Sequence, residues 1–254
     1  MHLTHVLITR PLEASQQLSG WLDDQFDSLA LYPIVMPFYT FSAHHPGVAM
    51  DTAWSAPPGR KLAVFTSPRA VRYGLLQIPL GRMTGLEFAA VGSATRTQLE
   101  AAGHEVHIQA SAGFTSEDLL QEPALTADPG EAVIFCAPGG RVKLARGLET
   151  LGWRVFQAMV YERMPVEPAS EQIDTLLAAA GILSTWTSVS ALVLAEENLP
   201  ARAWAKILDA PALVISARIQ HHLQQRGASR VALADGPGNP ALLESIKRLA
   251  GQPG

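Results

Sequence analysis

One series of short motifs occurs twice along these 254 residues, and that duplication limits the fold more than any single motif does. VLITRP (Val6–Pro11) returns as VIFCAP (Val133–Pro138), 127 residues later. VFTSPRAV (Val64–Val71) returns as TWTSVSAL (Thr185–Leu192), 121 residues later. AAVGSATRTQLEAAG (Ala89–Gly103) returns as LVISARIQHHLQQRG (Leu213–Gly227) at 124, and Leu119-Leu120 as Leu242-Leu243 at 123. Four matches in one order, at nearly one offset, read as two copies of one half. Each copy runs strand–helix–strand, strand–Thr-Ser–helix, strand–turn–helix–strand, and a closing helix.

The local signals agree with that scheme. Val6–Pro11 is an apolar run ended by a charge and a proline, the pattern of a buried strand. Leu12–Asp24 carries Leu18, Trp21 and Leu22 on one helical face, and Leu29–Pro37 returns as a strand. After the strand Leu62–Phe65, Ser67 is placed to cap a helix with Pro68 at its first position, where a missing N–H costs nothing. Phe88–Val91 leads through Gly92-Ser93-Ala94-Thr95 into a helix that stops at Gly103. Val106–Ile108 is the next strand, and Ser116-Glu117-Asp118-Leu119-Leu120 opens another helix. Residues Ala43–Gly59, rich in Pro, Gly, Ala and His, read as a loop.

Strands alternating with helices imply parallel sheets covered on both faces. The expected fold is therefore α/β, with two lobes built on parallel sheets. Pro37–Ser42 and Tyr161–Pro168 close the β-α-β units of the two copies, carry prolines, and are the expected crossings between lobes.

Composition removes several function classes. Hydrophobic residues make up 48% of the chain, enough for packed cores. No apolar run approaches the ~18–20 residues that span a bilayer, so no membrane partner is expected. The opening MHLTHVLITRP has no charged start followed by an apolar stretch, the pattern of an export signal. With Cys136 as the single cysteine, no internal disulfide forms, and a reducing, cytoplasmic setting is expected. The net charge of −4 counts against a nucleic-acid partner. Of 19 basic residues four are lysines, which leaves 15 arginines. Arginine forks suit carboxylates and phosphates, but a GC-rich genome produces the same bias, so it decides nothing alone.

Parallel sheets bind ligands outside the carboxyl ends of their strands, so the turns after Phe65, Val91, Phe135, Ser184 and Ile215 are the places to look. Helix N-termini at such turns attract anions. The hydroxyls of Thr66, Ser67, Ser93, Thr95, Thr187, Ser188 and Ser216 would add donors. Each one alone also reads as a plain helix cap; as a set at equivalent turns of both copies they point to an anion or carboxylate site. No metal site is expected. His44-His45 and His221-His222 are adjacent pairs, and neighbours on a helix face different ways. Cys136 ends an apolar strand and reads as a small buried hydrophobe. A phosphate loop, a Gly-x-Gly-x-x-Gly series and a Gly-x-Ser-x-Gly elbow are all missing. Tyr161 ends one strand and begins the polar crossing Glu162-Arg163-Met164-Pro165. Two readings stand for it: a proton donor at a lobe junction, or an aromatic plug with a satisfied hydroxyl.

With TRP at Thr9–Pro11, FTSPRAV at Phe65–Val71, VGSATRTQLEAAG at Val91–Gly103, SEDLL at Ser116–Leu120 and the stretch Gly139–Arg163, the chain resembles the uroporphyrinogen-III synthase family. The likeness runs from about Leu3 to Leu249 and lies in the order and spacing of the motifs. It implies two flavodoxin-like lobes joined by a two-stranded linker: residues 1–37 with 166–254 form one lobe, 43–160 the other, and 38–42 with 161–165 the connecting strands. The implied reaction closes hydroxymethylbilane, a linear tetrapyrrole with eight carboxylates, to uroporphyrinogen III, with inversion of ring D through a spiro-pyrrolenine and loss of water. No cofactor or metal is implied.

The resemblance makes Tyr161 the active-site tyrosine, a proton donor that assists rather than decides. It makes Thr66, Ser67, Ser93, Thr95, Thr187 and Ser188 binders of acetate and propionate arms, with Arg10 and Arg141 as charge partners. Where the family often carries Gly-x-x-Thr, this chain has Ser216-Ala217-Arg218-Ile219, so Ser216 or Arg218 stands in for the threonine. The partners implied are the small-molecule tetrapyrrole substrate and, transiently, the enzyme that makes the bilane; the chain is expected to be a monomer. The main alternative is a two-lobed binding protein without catalysis, of the periplasmic type, against which the missing export signal counts. A pair of receiver domains would need acidic clusters at the strand ends. A nicotinamide- or S-adenosylmethionine-dependent enzyme would need the glycine series.

Overall fold

A computed structural model of the protein describes residues 3–25, 30–45, 53–54, 59–111, 113, 115–139 and 142–251. In chain order the first half holds β1 (His5–Ile8), α1 (Leu12–Asp23), β2 (Tyr32–Val35), β3 (Tyr39–Ala43), β4 (Lys61–Phe65), α2 (Pro68–Gly74), β5 (Leu86–Ala90), α3 (Ser93–Ala101), β6 (Ile108–Gln109) and α4 (Ser116–Leu119). The second half holds β7 (Glu131–Cys136), α5 (Val142–Thr150), β8 (Arg154–Met159), β9 (Tyr161–Pro165), α6 (Ser170–Ala178), β10 (Ile182–Trp186), α7 (Val189–Asn198), α8 (Ala201–Asp209), β11 (Ala212–Val214), α9 (Ala217–Gln224), β12 (Val231–Leu233) and α10 (Asn239–Ala250).

The chain divides into two compact units, a terminal one of Met1–Thr40 with Met164–Gly254 and a middle one of Phe41–Arg163. The terminal unit carries a five-stranded sheet in the order β2-β1-β10-β11-β12, and the middle unit one in the order β8-β7-β4-β5-β6. Every pairing in both sheets is parallel. The repeat makes β1 and β2 the equivalents of β7 and β8, and β4, β5 and β6 those of β10, β11 and β12. The two orders are then one order, the flavodoxin-like 2-1-3-4-5. Each sheet takes two strands from one copy of the repeat and three from the other. The seam runs down its centre, where Val6 lies opposite Leu183 and Ala63 opposite Val133. The duplicated halves are therefore exchanged between units. Strands β3 and β9 form a separate two-stranded sheet. Its direction is antiparallel, since His44 N–H donates to the Val160 carbonyl (3.0 Å) and Val166 N–H to that of Phe38 (2.9 Å).

The sheet of the middle unit is covered on both faces, so its strands read as unbroken apolar runs. Alternate residues go to different cores. Phe65, Phe88, Ala90, Val133 and Phe135 join one cluster with Tyr161. Leu62, Val64, Ala89, Ile134 and Cys136 join another with Leu144, Leu148 and Trp153. The first face is aromatic: Phe65 stacks on Phe135 at 4.6 Å and on Phe88 at 6.2 Å. Helix α2 comes down on this stack through Gly74, where a Cβ would sit 2.6 Å from Phe135 Cδ1. In the terminal unit Val6, Ile8, Leu18, Leu183, Leu213 and Leu242 form the matching aliphatic cluster. Trp186 is buried on the other face of β10, donating its indole N–H to Ser184 Oγ at 2.9 Å.

Two strands are shorter than the sequence pattern predicts. β2 occupies Tyr32–Val35 of the expected Leu29–Pro37; it is an edge strand, which is where Pro33 is tolerated. β6 is cut to Ile108–Gln109 because the ring Nδ1 of His107 takes the Phe88 N–H (3.2 Å) that a longer ladder would use. Of the expected loop Ala43–Gly59, Ala43 ends β3, and residues 46–52 and 55–58 lie outside the described residues. Among the described residues no helix is long and apolar enough to cross a membrane.

Candidate active site

The candidate residues stand at the carboxyl ends of the two sheets, and each unit has its own set. In the middle unit β4 ends at Phe65. Thr66 donates its hydroxyl to the Phe135 carbonyl at 3.0 Å, tying the ends of β4 and β7 together. Ser67 caps α2, its Oγ accepting the Ala70 N–H at 3.1 Å, with Pro68 in the first turn. The terminal unit repeats the device: Ser188 caps α7 through the Ala191 N–H at 3.1 Å, and Ser216 caps α9 through the Ile219 N–H at 3.4 Å. Sequence predicts caps at these positions, and the geometry is that of caps. Replacing Ser67 or Ser188 by alanine is expected to cost about 1 kcal/mol each, read as paired shifts in chemical denaturation; a cost at one site and none at the other would break the equivalence of the two copies.

Tyr161 opens β9 directly after β8. Its hydroxyl lies 3.2 Å from Ser67 Oγ, and either atom can donate. The ring is 8% exposed and held on several sides. Tyr73 stacks on it at 5.8 Å, and Phe41 meets it edge-on at 5.8 Å. Tyr73 in turn donates its hydroxyl to the Phe41 carbonyl at 3.1 Å. The Arg69 guanidinium carbon lies 3.4 Å from the centre of the Phe41 ring and 5.8 Å from that of Tyr161. Arg163 lies 5.8 Å from the same Phe41 ring. A phenol, a serine hydroxyl fixed by a helix and a half-buried cation thus converge within one unit. Chemically, the group can donate a proton and receive an acid. The aromatic packing and the hydroxyl bonded to Ser67 also fit a plug, so this geometry serves both roles.

The other candidates are placed as follows. Ser93 is exposed in the first turn of α3, whose cap is Gly92, while Thr95 is buried further along that helix. Thr187 is half-buried at the end of β10, and Arg218 is exposed on α9. Arg141 lies outside the described residues. Arg10 follows β1 in the terminal unit and donates to Asn239 Oδ1, and Asn239 is itself fixed by the Ala14 carbonyl (3.0 Å) and Gln17 (2.9 Å). Burial pulls the Arg10 guanidinium below its ordinary value, and Tyr39 pulls it partly back. Its Nε is buried with no hydrogen-bond partner among the described residues. Among the described residues no three His, Cys, Asp or Glu side chains come together to hold a metal.

Arg69, Phe41 and Tyr73 were not singled out by the motif spacing. Arg69 lies inside FTSPRAV, two residues after the cap Ser67, but is matched to Ser190 in the second copy, so the motif marks the place and no repeated cation marks the residue.

Cys136 is 1% exposed at the end of β7, and burial pushes its thiol up to about 11. A thiol held neutral is inert at pH 7. The folded protein is expected to react with a thiol reagent only on unfolding. The unfolded thiol loses its proton first, so between pH 9 and about 11 the unfolded chain binds fewer protons than the folded one. Stability therefore falls as pH rises through that window. Cys136→Ala is expected to flatten this fall, measured by denaturation at about pH 8 and about pH 10.5, on either side of the unfolded thiol's titration; identical slopes would contradict it.

The family model described as uroporphyrinogen-III synthase HemD matches residues 22–244. The uroporphyrinogen-III synthetase structure from Helicobacter pylori 26695 superposes with a TM-score of 0.61 at 16% identity, covering 98% of this chain and 100% of that one. A mutant uroporphyrinogen III synthase from the extremely thermophilic bacterium Thermus thermophilus gives 0.57 at 19% identity, covering 96% and 98%. At such identities the structures establish the shared fold, and the family match rests on the sequence itself. Since that match takes in most of both exchanged copies, the chain belongs to the uroporphyrinogen-III synthase family.

Proposed function

We propose that this protein closes hydroxymethylbilane to uroporphyrinogen III, inverting ring D and releasing water. The observation that carries the reading is the Tyr161–Ser67 hydroxyl pair in a chain of this family. The bilane is a flexible polyanion able to cyclise unaided without inversion. Catalysis is then mostly a matter of holding one conformation, so that the closing bond forms at the inverted position. Helix caps, backbone N–H groups and a few arginines serve that task.

Tyr161 supplies the acid. The carbon–oxygen bond of the hydroxymethyl group on ring A breaks, and the oxygen leaves as water with the phenol's proton. The exposed carbon bonds to ring D to give the spiro-pyrrolenine. Rearrangement and loss of a proton restore the pyrrole, and that proton returns to the phenolate. Ser67 accepts from Ala70 and retains its own hydroxyl hydrogen to steady the phenol oxygen. The hydroxyls of Thr66, Ser93, Thr95, Thr187, Ser188 and Ser216, with Arg10, Arg141 and Arg218, serve the acetate and propionate arms. On this reading the chain works in the cytoplasm as a monomer and takes its unstable substrate by brief contact with the enzyme that makes it.

Incubation with freshly made bilane, followed by oxidation and separation of the uroporphyrin isomers, tests the reading. Type III is expected to dominate. Type I alone, at the spontaneous rate, would mark a binding protein without catalysis and overturn it.

A further inference from the structure

We infer that Arg69 is a substrate-positioning residue, a preset fork for one carboxylate of the tetrapyrrole beside Tyr161; this rests on the reading above. At 3.4 Å from the centre of the Phe41 ring, the guanidinium carbon lies on the ring face. An edge-on approach would drive its nitrogens inside contact distance, so the group lies flat. A flat guanidinium uses its face for the ring and keeps its N–H donors in the plane, directed outward. Among the described residues no carboxylate pairs with Arg69 and no acceptor takes those donors. Glu162, the acid next to Tyr161, faces His44 instead, at 3.7 Å. The cation is half-buried, so its charge is only partly screened.

Two further features aim this cation at an acid. Phe41 belongs to β3, its carbonyl accepts the Tyr73 hydroxyl and its ring meets Tyr161 edge-on, so the platform under Arg69 is held from two sides and less side-chain freedom is left to lose on binding. Arg69 also follows the cap Ser67 by two residues and lies 5.8 Å from the Tyr161 ring. A carboxylate held in its fork is thereby registered against the proposed proton donor. A lone cation on a ring would do no more than pack; a cation with free planar donors, set beside that phenol, suits a polyanion with eight acidic arms.

The test compares wild type with Arg69→Gln and Arg69→Lys. KM for the bilane is expected to rise about 10-fold in Arg69→Gln with kcat within about 2-fold. Arg69→Lys, which keeps the charge but loses the fork, should recover part of the loss. Uroporphyrin III, an octacarboxylate that cannot react, gives a second readout by fluorescence titration, and its Kd should weaken by a similar factor in Arg69→Gln. Thermal unfolding monitors the fold of each variant, and Arg69→Lys carries the test if the glutamine variant is unstable. Unchanged KM and Kd in stable variants would overturn the inference and leave the synthase reading intact. A wild type that forms no type III isomer, yet binds uroporphyrin through Arg69, would sink the synthase reading and leave the fork.

Discussion

Replacing Tyr161 by phenylalanine is expected to slow type III formation about 100-fold, at the low end of what general-acid catalysis contributes. The low end applies because the pyrrole already activates the leaving hydroxyl. The substitution removes one oxygen from a ring held by Tyr73 and Phe41, so the packing stays. Ser67 keeps its bond from the Ala70 N–H, and α2 keeps its cap. Stability should change by about 1 kcal/mol, the worth of one hydrogen bond. As enzymatic closure slows, spontaneous closure competes and the share of type I isomer rises. Cys136→Ala, at a buried neutral thiol, should leave the rate near that of wild type. Equal type III rates in the two variants would refute the assignment of Tyr161 and leave it as an aromatic plug.

The second large effect is on stability. Phe135→Ala should destabilise the protein by about 3–5 kcal/mol, the usual cost of emptying a large aromatic site in a core. Phe135 is fully buried. It stacks on Phe65 at 4.6 Å, lies 6.4 Å from Trp54, and receives α2 through Gly74. The surroundings cannot collapse into the space easily, since β4 and β7 are locked in register from Lys61 opposite Glu131 to Phe65 opposite Phe135. At ~2–4 °C per kcal/mol for a chain of this size, Tm should fall by about 10 °C. Phe135→Leu, which keeps most of the volume, should cost under ~1.5 kcal/mol. A loss below ~1 kcal/mol in the alanine variant, well under the usual cost of such a cavity, would show that the aromatic stack does not hold α2 and its cap Ser67 in place.

Much of the architecture was legible because the repeat carried it. Ser67 and Ser188 occupy matched positions and cap matched helices. Gly103 and Gly227 both take positive φ, at 84° and 101°, where the matched helices end. What the repeat could not carry is where the copies diverge. Pro79 and Pro200 correspond, yet Ala201–Asp209 continues as α8 while Leu80–Arg82 makes only a short 3₁₀ turn. Gly81, Thr84 and Gly85 in the first copy face Arg202, Ala205 and Lys206 in the second, and glycine loses more entropy in a helix than these do. Arg69 was missed for the same reason, having Ser190 as its counterpart. Its role also depends on Phe41, a residue 28 positions earlier that only the folded chain brings near. Tyr161 was legible as a place and ambiguous as a role, because a buried, hydrogen-bonded phenol satisfies both of its readings.

A crystal structure with uroporphyrinogen III or its oxidised form bound would place the ligand against Tyr161, Ser67 and Arg69. The macrocycle is expected at the carboxyl edge of the middle sheet, with the Tyr161 hydroxyl within hydrogen-bond reach of it, about 2.6–3.2 Å, and an acidic arm in the plane of the Arg69 guanidinium. A macrocycle bound in register elsewhere, with Tyr161 and Ser67 bonded only to each other, would contradict it.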